Sequence, residues 1–564
     1  MSSQRDAQSA NDADADVDTD PPTDAGSHQS SATEAPPLET GLYGELREDI
    51  APLLTNDLFT LVEEYWLQEY QSAAAIFVNT DTGEHSYHVL EPDLSEDEAF
   101  LYDTVESRLR EKILYREDFS DADDPHDILR TRSRDIIDKL RDTIPQKSTE
   151  RVLYYLERNL LGHGRIEPLM HDSLLEEISC NGPGDKPLFV YHQEYDNVAT
   201  NIRFDEGELR PYVRKLAQRS GKDISTANPT QGAVLPDGSR IQMTLDEVSP
   251  EGESFTIRKF SDDPFTPVDL IKRGTFSIDQ LAYLWYIVQY GVSGIFAGGT
   301  GAGKTTSLNA TALFADPGKK FITIEDTREV KIPQENYVAT LTREGFSDAG
   351  ENTVDMFDLV KESLRKRPDY LVLGEVRGRE AYNLFQAMNT GHTSFATLHA
   401  DSMMTALSRL QTKPMNIPKS LIAELGFTTV QTVATVDGEE VRRCKEIYEV
   451  IDLDADINKL HYRSIYEWDP KTDKMIEKGD SNIIKKFRQA GKSPDEAIAN
   501  RKQVLRYLVN NDITDYGPVS SIIRSFMRSP EDVLEQVEAD YINLEELAAL
   551  EDQAVYRTDT NGTT

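Results

Sequence analysis

Apolar positions have helical spacing in the first part of the chain and form shorter, strand-like runs after it. Residues 99–115 and 128–144 carry apolar side chains at helical intervals between charged stretches. From residue 149 an amphipathic helix, RVLYYLERNLLG, precedes strand-like runs such as LFVYH and FTIRKF. This pattern predicts a small, mainly helical unit followed by an α+β domain.

A different pattern begins near residue 277, where short apolar runs alternate with stretches of helical length. Ser277 and Gln280 predict a capping box for a helix that runs to about Tyr290, with Gly291 as its stop. Three strand-like runs follow, with the sequences VSGIFA, KFITI and DYLVLG. Such alternation is typical of a parallel sheet covered on both faces, and the predicted fold class is α/β.

The two ends of the chain differ from its middle. The N-terminal residues are mostly Ser, Asp, Ala, Thr and Pro, with too few large apolar side chains to offset the entropy of ordering. Beyond about Val450 we expect few strands, and Ser493, Pro494 and Glu496 predict the start of a further helix. The predicted units are a disordered acidic tail (1–45), a mainly helical unit (46–148), an α+β domain (149–260), a linker (261–276), a P-loop domain (277–450) and a helical C-terminal extension (451–564).

The net charge of the chain indicates in which solvent it functions and which partners it binds. The chain has 100 Asp and Glu residues and 60 Lys and Arg residues, which give a net charge of -40 and a pI near 4.6. Molar salt reduces the Debye length to roughly 3 Å and screens such self-repulsion, so we expect the cytoplasm of a halophile. A stable complex with nucleic acid is not expected, because binding phosphates requires a basic surface.

The cysteine content and the hydropathy of the sequence argue against a zinc module and against a transmembrane helix. Cys180 and Cys444 are the two cysteines and lie too far apart for a CxxC zinc module. No run of about 18 apolar residues predicts a transmembrane helix. We therefore expect a cytoplasmic protein whose association with a membrane depends on partners.

One segment predicts a phosphate-binding loop. GGTGAGKTT follows an apolar strand and fits G-x-x-x-x-G-K-[ST], with Lys304 positioned for the β- and γ-phosphates of ATP and Thr305 for Mg²⁺. Glycines allow main-chain N–H groups to approach the phosphates closely. The predicted nucleotide-binding residues of this loop are Gly298, Gly299, Thr300, Gly301, Ala302, Gly303, Lys304, Thr305 and Thr306.

Two later strands end in carboxylates. ITIEDTREV places Glu325 and Asp326 at a strand end, and YLVLGEVRGRE does the same for Glu375. The carboxyl edge of a parallel sheet is where ligands bind, so these groups could hold Mg²⁺ or orient water. The alternative is that they only cap strands and solvate the surface of an acidic protein.

Four segments in order, GGTGAGKTT, ITIEDTREV, YLVLGEVRGRE and GHTSFATLHA, resemble the secretion ATPases that power type II and type IV secretion, type IV pili and the archaellum. The resemblance runs from about residue 149 to at least residue 443 and implies a RecA-like P-loop domain. It favours catalytic and metal-linked roles for Glu325 and Glu375, with Glu375 the first candidate for polarising water.

The same resemblance implies roles for four further side chains. His392 and His399 would sense the nucleotide, and Arg240 and Arg258 would reach its phosphates from the adjoining domain. The alternative for each arginine is an ordinary ion pair with one of the many carboxylates. Arg377 is expected to hold its loop through an ion pair and to take no direct part in catalysis.

The resemblance implies a homohexameric, magnesium-dependent ATPase that works on a polytopic membrane platform protein. The helical N-terminal unit, the lack of a zinc cysteine cluster and the halophilic composition favour an archaeal branch that serves a pilus or archaellum. Two alternatives remain open from the sequence: a DNA-transfer ATPase of the same superfamily, and a scaffold subunit that binds nucleotide without hydrolysing it.

Overall fold

The computed structural model describes residues 50–69, 71–113, 125–140, 145–260, 264–343 and 353–544. The predicted disordered tail, residues 1–45, lies outside them. The described chain contains two nine-stranded sheets. One sheet is formed by strands in the N-terminal half of the chain. The other is formed by strands in the second half and includes the strand that precedes the phosphate-binding loop.

The N-terminal sheet has the strand order β1-β2-β3-β6-β5-β4-β9-β8-β7. Its pairs are antiparallel except for β3 with β6, which is parallel. Its strands are β1 (Phe59–Gln68), β2 (Ser72–Asn79), β3 (His85–Leu90), β4 (Leu175–Cys180), β5 (Phe189–His192), β6 (Asp196–Thr200), β7 (Thr230–Val234), β8 (Arg240–Thr244) and β9 (Ser254–Arg258).

The second sheet has the order β12-β11-β13-β14-β10-β15-β16-β17-β18, parallel from β12 to β15 and antiparallel beyond. Its strands are β10 (Gly294–Gly298), β11 (Phe321–Glu325), β12 (Tyr337–Leu341), β13 (Tyr370–Glu375), β14 (Thr393–His399), β15 (Phe427–Val436), β16 (Glu439–Asp454), β17 (Lys459–Asp469) and β18 (Lys474–Glu477).

Helices flank both sheets. Those of the N-terminal half are α1 (Ala51–Leu54), α2 (Glu96–Ile113), α3 (Pro125–Leu140), α4 (Gln146–Leu156), α5 (Glu167–His171) and α6 (Leu209–Arg219). Those of the second half are α7 (Pro267–Lys272), α8 (Ile278–Gln289), α9 (Lys304–Ala312), α10 (Met356–Arg365), α11 (Glu380–Asn389), α12 (Met403–Gln411), α13 (Lys419–Ile422), α14 (Asn482–Gln489), α15 (Pro494–Asn510), α16 (Tyr516–Arg528) and α17 (Pro530–Glu538). No helix in the described ranges is long and apolar enough to cross a membrane.

The central strands of the second sheet are buried on both faces, as expected for parallel strands with helices on each side. Every residue of β10 and β11 is buried. Alternation sends Ile295 to one apolar core and Phe296 to the other. The α/β fold class and the three predicted strands are confirmed.

The helix predicted from Ser277 is also confirmed. The Ser277 side chain accepts a hydrogen bond from the Gln280 amide, and the Gln280 side chain accepts one from the Ser277 amide. Gly291 follows the helix with φ +78°, in the left-handed region that favours glycine. The helix start predicted at Ser493 and Pro494 corresponds to α15.

Three expectations need correction. The N-terminal unit has its predicted helices but also contributes β1–β3 to a sheet. The predicted linker 261–276 contains α7, because Thr266 and Asp269 form a capping box and Val268 and Leu270 are buried. The region beyond Val450 is not strand-poor, since β16 continues to Asp454 and two more strands follow before the C-terminal helices begin at Asn482.

A buried carboxylate attaches the C-terminal helices to the P-loop domain. Glu449 on β16 accepts hydrogen bonds from the Tyr283 hydroxyl at 2.6 Å and from the Asn482 and Ile483 amides at 2.6 and 3.2 Å. The Ser481 hydroxyl donates to it as well. Because those amides are the first of α14, Glu449 holds the start of the extension against the sheet and α8.

Replacing this carboxylate should weaken that attachment. Glu449→Ala removes the acceptor of two hydroxyls and two helix amides, so we expect the unfolding free energy to fall by about 2–3 kcal/mol. Amide hydrogen exchange over residues 482–510 should rise with it. Glu440→Ala, at an exposed position of the same strand, is the matched control. Equal exchange in the two variants would contradict the role assigned to Glu449.

Candidate functional site

The loop between β10 and α9 has the geometry of a phosphate cradle. Gly301 and Gly303 have φ values of +69° and +81°, which favour glycine. Gly298 has no room for a side chain, since a Cβ there would lie 2.9 Å from the Gln431 carbonyl oxygen. The loop leads into the N-terminus of α9, where main-chain N–H groups and the helix dipole favour an anion.

Three side chains hold the apex of this loop. Lys304 Nζ donates to the Gly299 carbonyl oxygen at 2.6 Å, and Thr300 Oγ1 lies 3.0 Å from His399 Nε2. Arg442 Nε donates to the Gly301 carbonyl oxygen at 2.8 Å. Burial is the main cause of a lowered Lys304 pKa, opposed by the nearby Glu375 carboxylate.

Glu325 lies at the end of β11 and is almost entirely buried, with 1% of its surface exposed. Its Oε1 accepts hydrogen bonds from the Glu329 and Val330 amides, both at 2.9 Å. Its Oε2 has no partner within the described chain. Burial raises the pKa of Glu325 to about 7, despite the two amide hydrogen bonds that lower it. Gly374 leaves room for this side chain, because a Cβ there would lie 3.2 Å from Glu325 Cγ.

Glu375 ends β13 and is more accessible. Its Oε2 accepts a hydrogen bond from Arg377 Nη2 at 2.6 Å, the ion pair expected for that arginine. Burial tends to raise the Glu375 pKa, but Arg377, Lys304 and His399 together lower it. Glu375 is therefore ionised at neutral pH and faces the cationic end of the loop.

Two arginines reach the cleft from the N-terminal sheet. Arg240 and Arg258 are directly opposite each other on β8 and β9. Both line the cleft, and within the described ranges neither forms a hydrogen bond or an ion pair. The alternative that they serve as ordinary surface ion pairs does not fit this arrangement.

The cleft between the two sheets has a volume of about 690 Å³. Six basic and four acidic residues line it, a positive balance within a chain of net charge -40. The predicted site residues that line it are Arg240, Arg258, Thr300, Gly301, Lys304, Thr305, Glu325, Glu375 and His399.

The remaining predicted residues are placed differently. Gly298 and Ala302 are buried behind the loop, and Gly299, Gly303 and Thr306 belong to the loop or the first turn of α9 without lining the cleft. His392 precedes the first residue of β14, whereas His399 ends that strand. His392 therefore lies at the opposite edge of the sheet, with Nδ1 3.1 Å from Thr390 Oγ1, and the expectation that it contacts nucleotide does not fit this placement.

Sequence reasoning missed several cleft residues. Arg409 on α12 donates to the His399 carbonyl oxygen, and Lys413 adds a cation without a partner among the described residues. Thr397 donates to the Gly374 carbonyl oxygen at 2.6 Å and supports the turn that carries Glu375. Arg442 is 141 residues away in sequence from Gly301, the loop residue that it holds, and no local pattern marks it.

These residues fit a magnesium–triphosphate group. The loop supplies amides and an ammonium group, and open space lies beside Gly299 and Gly301, where a Cβ would meet nothing within 4 Å. The Thr305 hydroxyl lines the cleft with no hydrogen-bond partner in the described chain, and Glu325 Oε2 has none either. Oxygen donors of this kind suit Mg²⁺.

Comparison with known proteins agrees with the motifs. A family model described as Type II/IV secretion system protein matches residues 159–477, more than half of the chain. Protein MJ0900 of Methanocaldococcus jannaschii is 37% identical over 393 residues, which are 68% of this chain and 71% of that protein. The conjugal transfer protein TrbB of Rhizobium radiobacter is 30% identical over 300 residues, 52% of this chain and 88% of that protein.

Solved structures of similar chains include two ATPase or motor proteins. The VirB11 ATPase of the Brucella suis type IV secretion system is 25% identical, with a TM-score of 0.26, over 52% of this chain and 93% of that one. The pilus retraction motor PilT with bound ADP is 16% identical, with a TM-score of 0.36, over 59% of this chain and 89% of that one.

The raised pKa of Glu325 makes a prediction about stability. Ionising this carboxylate costs more in the folded protein than in the unfolded chain, so stability should fall as pH rises from about 4.5 through about 7. Glu325→Gln removes the titration and keeps an oxygen for the two amides. In chelator, with no magnesium, the variant should gain about 2–3 kcal/mol over the wild type between pH 5 and pH 8.5.

Denaturant unfolding at several pH values measures this difference. Glu362→Gln changes an exposed glutamate of α10 and should leave the pH profile unchanged. A constant gap between Glu325→Gln and the wild type across the whole range would show that Glu325 titrates normally.

Proposed function

The chain belongs to the type II/IV secretion system protein family, and we propose that it is a magnesium-dependent ATPase whose two lobes close on the nucleotide to drive a membrane-associated machine. The observation that carries the proposal is the pair of arginines, Arg240 and Arg258, which lie opposite the phosphate cradle and pair with no carboxylate that the structure describes. In so acidic a chain, arginines that pair with no described carboxylate are available to bind an anionic ligand.

The residues of the cleft have different roles in binding and hydrolysing the nucleotide. The amides of the loop and Lys304 bind the phosphates, and Arg240 and Arg258 neutralise charge that develops on the transferred phosphoryl group. Magnesium, when bound, polarises the phosphate oxygens, and the Thr305 hydroxyl and the Glu325 and Glu375 carboxylates would hold it directly or through its water shell.

Glu375 is the better candidate for orienting the attacking water. It is ionised, accessible and next to the loop, whereas Glu325 is buried and fixed by two amides. The hydrogen bond from Arg377 leaves Glu375 Oε1 able to accept from water. We assign Glu325 to shaping the metal side of the cleft, since its Oε2 has no hydrogen-bond partner among the described residues and its Cγ packs against Gly374.

The assembly in which the ATPase works is inferred from family membership. We propose a homohexamer in the cytoplasm, bound at the inner face of the membrane through a polytopic platform protein. Its work would be assembly or rotation of an archaeal type IV pilus-like filament or archaellum, or type II/IV secretion. Likeness to a conjugal transfer protein supports DNA transfer as a second candidate, although the net charge of -40 disfavours direct contact with DNA.

Two substitutions test hydrolysis itself. Lys304→Ala should abolish ATPase activity by removing the ammonium group from the phosphates. Glu375→Gln should keep magnesium–ATP binding while kcat falls by roughly 10²–10⁴. Phosphate release and binding of a fluorescent ATP analogue, in concentrated potassium chloride, measure both.

The matched control is Glu424→Gln, at an exposed position away from the cleft. Normal turnover by Glu375→Gln would remove Glu375 from the mechanism. Binding without hydrolysis by the wild type would favour the scaffold alternative.

The two arginines should act on turnover more than on binding. Arg258→Ala and Arg240→Ala should each lower kcat by roughly 10² or more, because stabilisation of transition-state charge by an arginine accounts for up to roughly 10³–10⁵ in rate. KM should change much less. Arg214→Ala, an exposed arginine on α6 of the same domain, should leave both constants unchanged. An unaltered kcat in both cleft variants would show that the arginines of the N-terminal sheet take no part in hydrolysis.

A further inference from the structure

We propose that Arg442 is a positioning residue that couples the placement of the N-terminal domain to the conformation of the phosphate-binding loop. The proposal rests on nucleotide binding at that loop. It adds a residue outside the recognised motifs and states how the two lobes communicate.

The first contact fixes the apex of the loop. Arg442 Nε donates to the Gly301 carbonyl oxygen at 2.8 Å, and Arg442 Cδ lies 3.8 Å from the position that a Cβ on Gly303 would take. Holding a carbonyl away from the cradle favours the orientation in which neighbouring N–H groups face the phosphates. A guanidinium donor makes this hydrogen bond stronger than a neutral one.

The second contact reaches the other domain. Arg442 Nη2 donates to the Tyr191 hydroxyl at 3.4 Å, and that hydroxyl donates to Asp196 Oδ1 at 3.1 Å. Tyr191 lies on β5, and Asp196 begins β6. One side chain of the P-loop domain therefore contacts both the loop apex and the sheet that carries the cleft arginines.

Arg442 is placed by a strand of the P-loop sheet. It is paired with Val433 on β15, the strand next to β10, so its backbone moves with the P-loop sheet. Within the described ranges it forms no ion pair. Arg443 shows the contrast: it points to the other face and is tied to Asp473 by two hydrogen bonds at 2.8 Å.

The shared sheet links the cleft arginines to the Arg442 contact. β5 and β9 belong to one sheet, separated only by β4, so a movement that brings Arg258 toward the phosphates also moves Tyr191. The Tyr191–Arg442 contact then tightens or breaks, and the restraint on Gly301 changes with it.

A double-mutant cycle tests this coupling in the full chain. Arg442→Gln should weaken binding of a fluorescent ATP analogue roughly tenfold, and Arg442→Lys less, because it keeps the charge. Tyr191→Phe should weaken it roughly twofold to threefold, since its contact is long. In the Arg442→Gln background, Tyr191→Phe should have no further effect.

Hydrogen exchange of the amides of residues 298–304 gives a readout that does not depend on nucleotide. It should rise in Arg442→Gln and stay unchanged in Lys445→Gln, an exposed position of the same strand. Additive effects of the two substitutions, or unchanged loop exchange in Arg442→Gln, would overturn the proposal. Absence of ATP binding in the wild type would instead overturn the proposed function.

Discussion

Parallel strand pairing is the constraint on which the cleft depends. Gly298 at the end of β10 is in register with His399 on β14 and with Gln431 on β15. Glu375 is in register with Thr397 one strand further along. Because parallel strands end at a common edge, segments that are more than 100 residues apart in sequence meet around one loop. Side chains at the opposite edge, such as His392, are excluded by the same geometry.

Electrostatics determines what such an edge can bind. Elsewhere in the described chain basic side chains are commonly neutralised, as Arg210 is by Asp246, Glu247 and Glu253. Arg240 and Arg258 form no ion pair with any carboxylate in the described part of the chain. The cleft is thus a local region of positive charge on an anionic protein, which attracts a polyanion and repels one from most of the remaining surface.

The sequence was sufficient wherever the relevant physics is local. A glycine-rich loop between a strand and a helix, a capping box at Ser277 and carboxylates at strand ends each have short-range signals, and the structure contains all of them. Non-local partners left no such signal. Arg442 contacts Gly301 only because β16 pairs with β15 beside β10, and β1–β3 extend a sheet whose other strands begin at Leu175. The helix α7 has only six residues, too few for a clear helical period, so its sequence resembles a linker although Thr266 and Asp269 carry the capping signal.

The N-terminal strands outside the family match are joined to the neighbouring domain by buried polar contacts, and these contacts determine how rigidly the strands follow that domain. The Tyr65 and Tyr87 hydroxyls both donate to the buried Asp172, at 2.7 and 2.6 Å, so β1 and β3 are fixed to the domain that contains Arg258. Lys259, the next residue after Arg258, donates to the main-chain oxygen of the same Asp172. Because one continuous sheet and one shared aspartate join these parts, a load on the N-terminal strands reaches the cleft arginines without passing through a flexible linker.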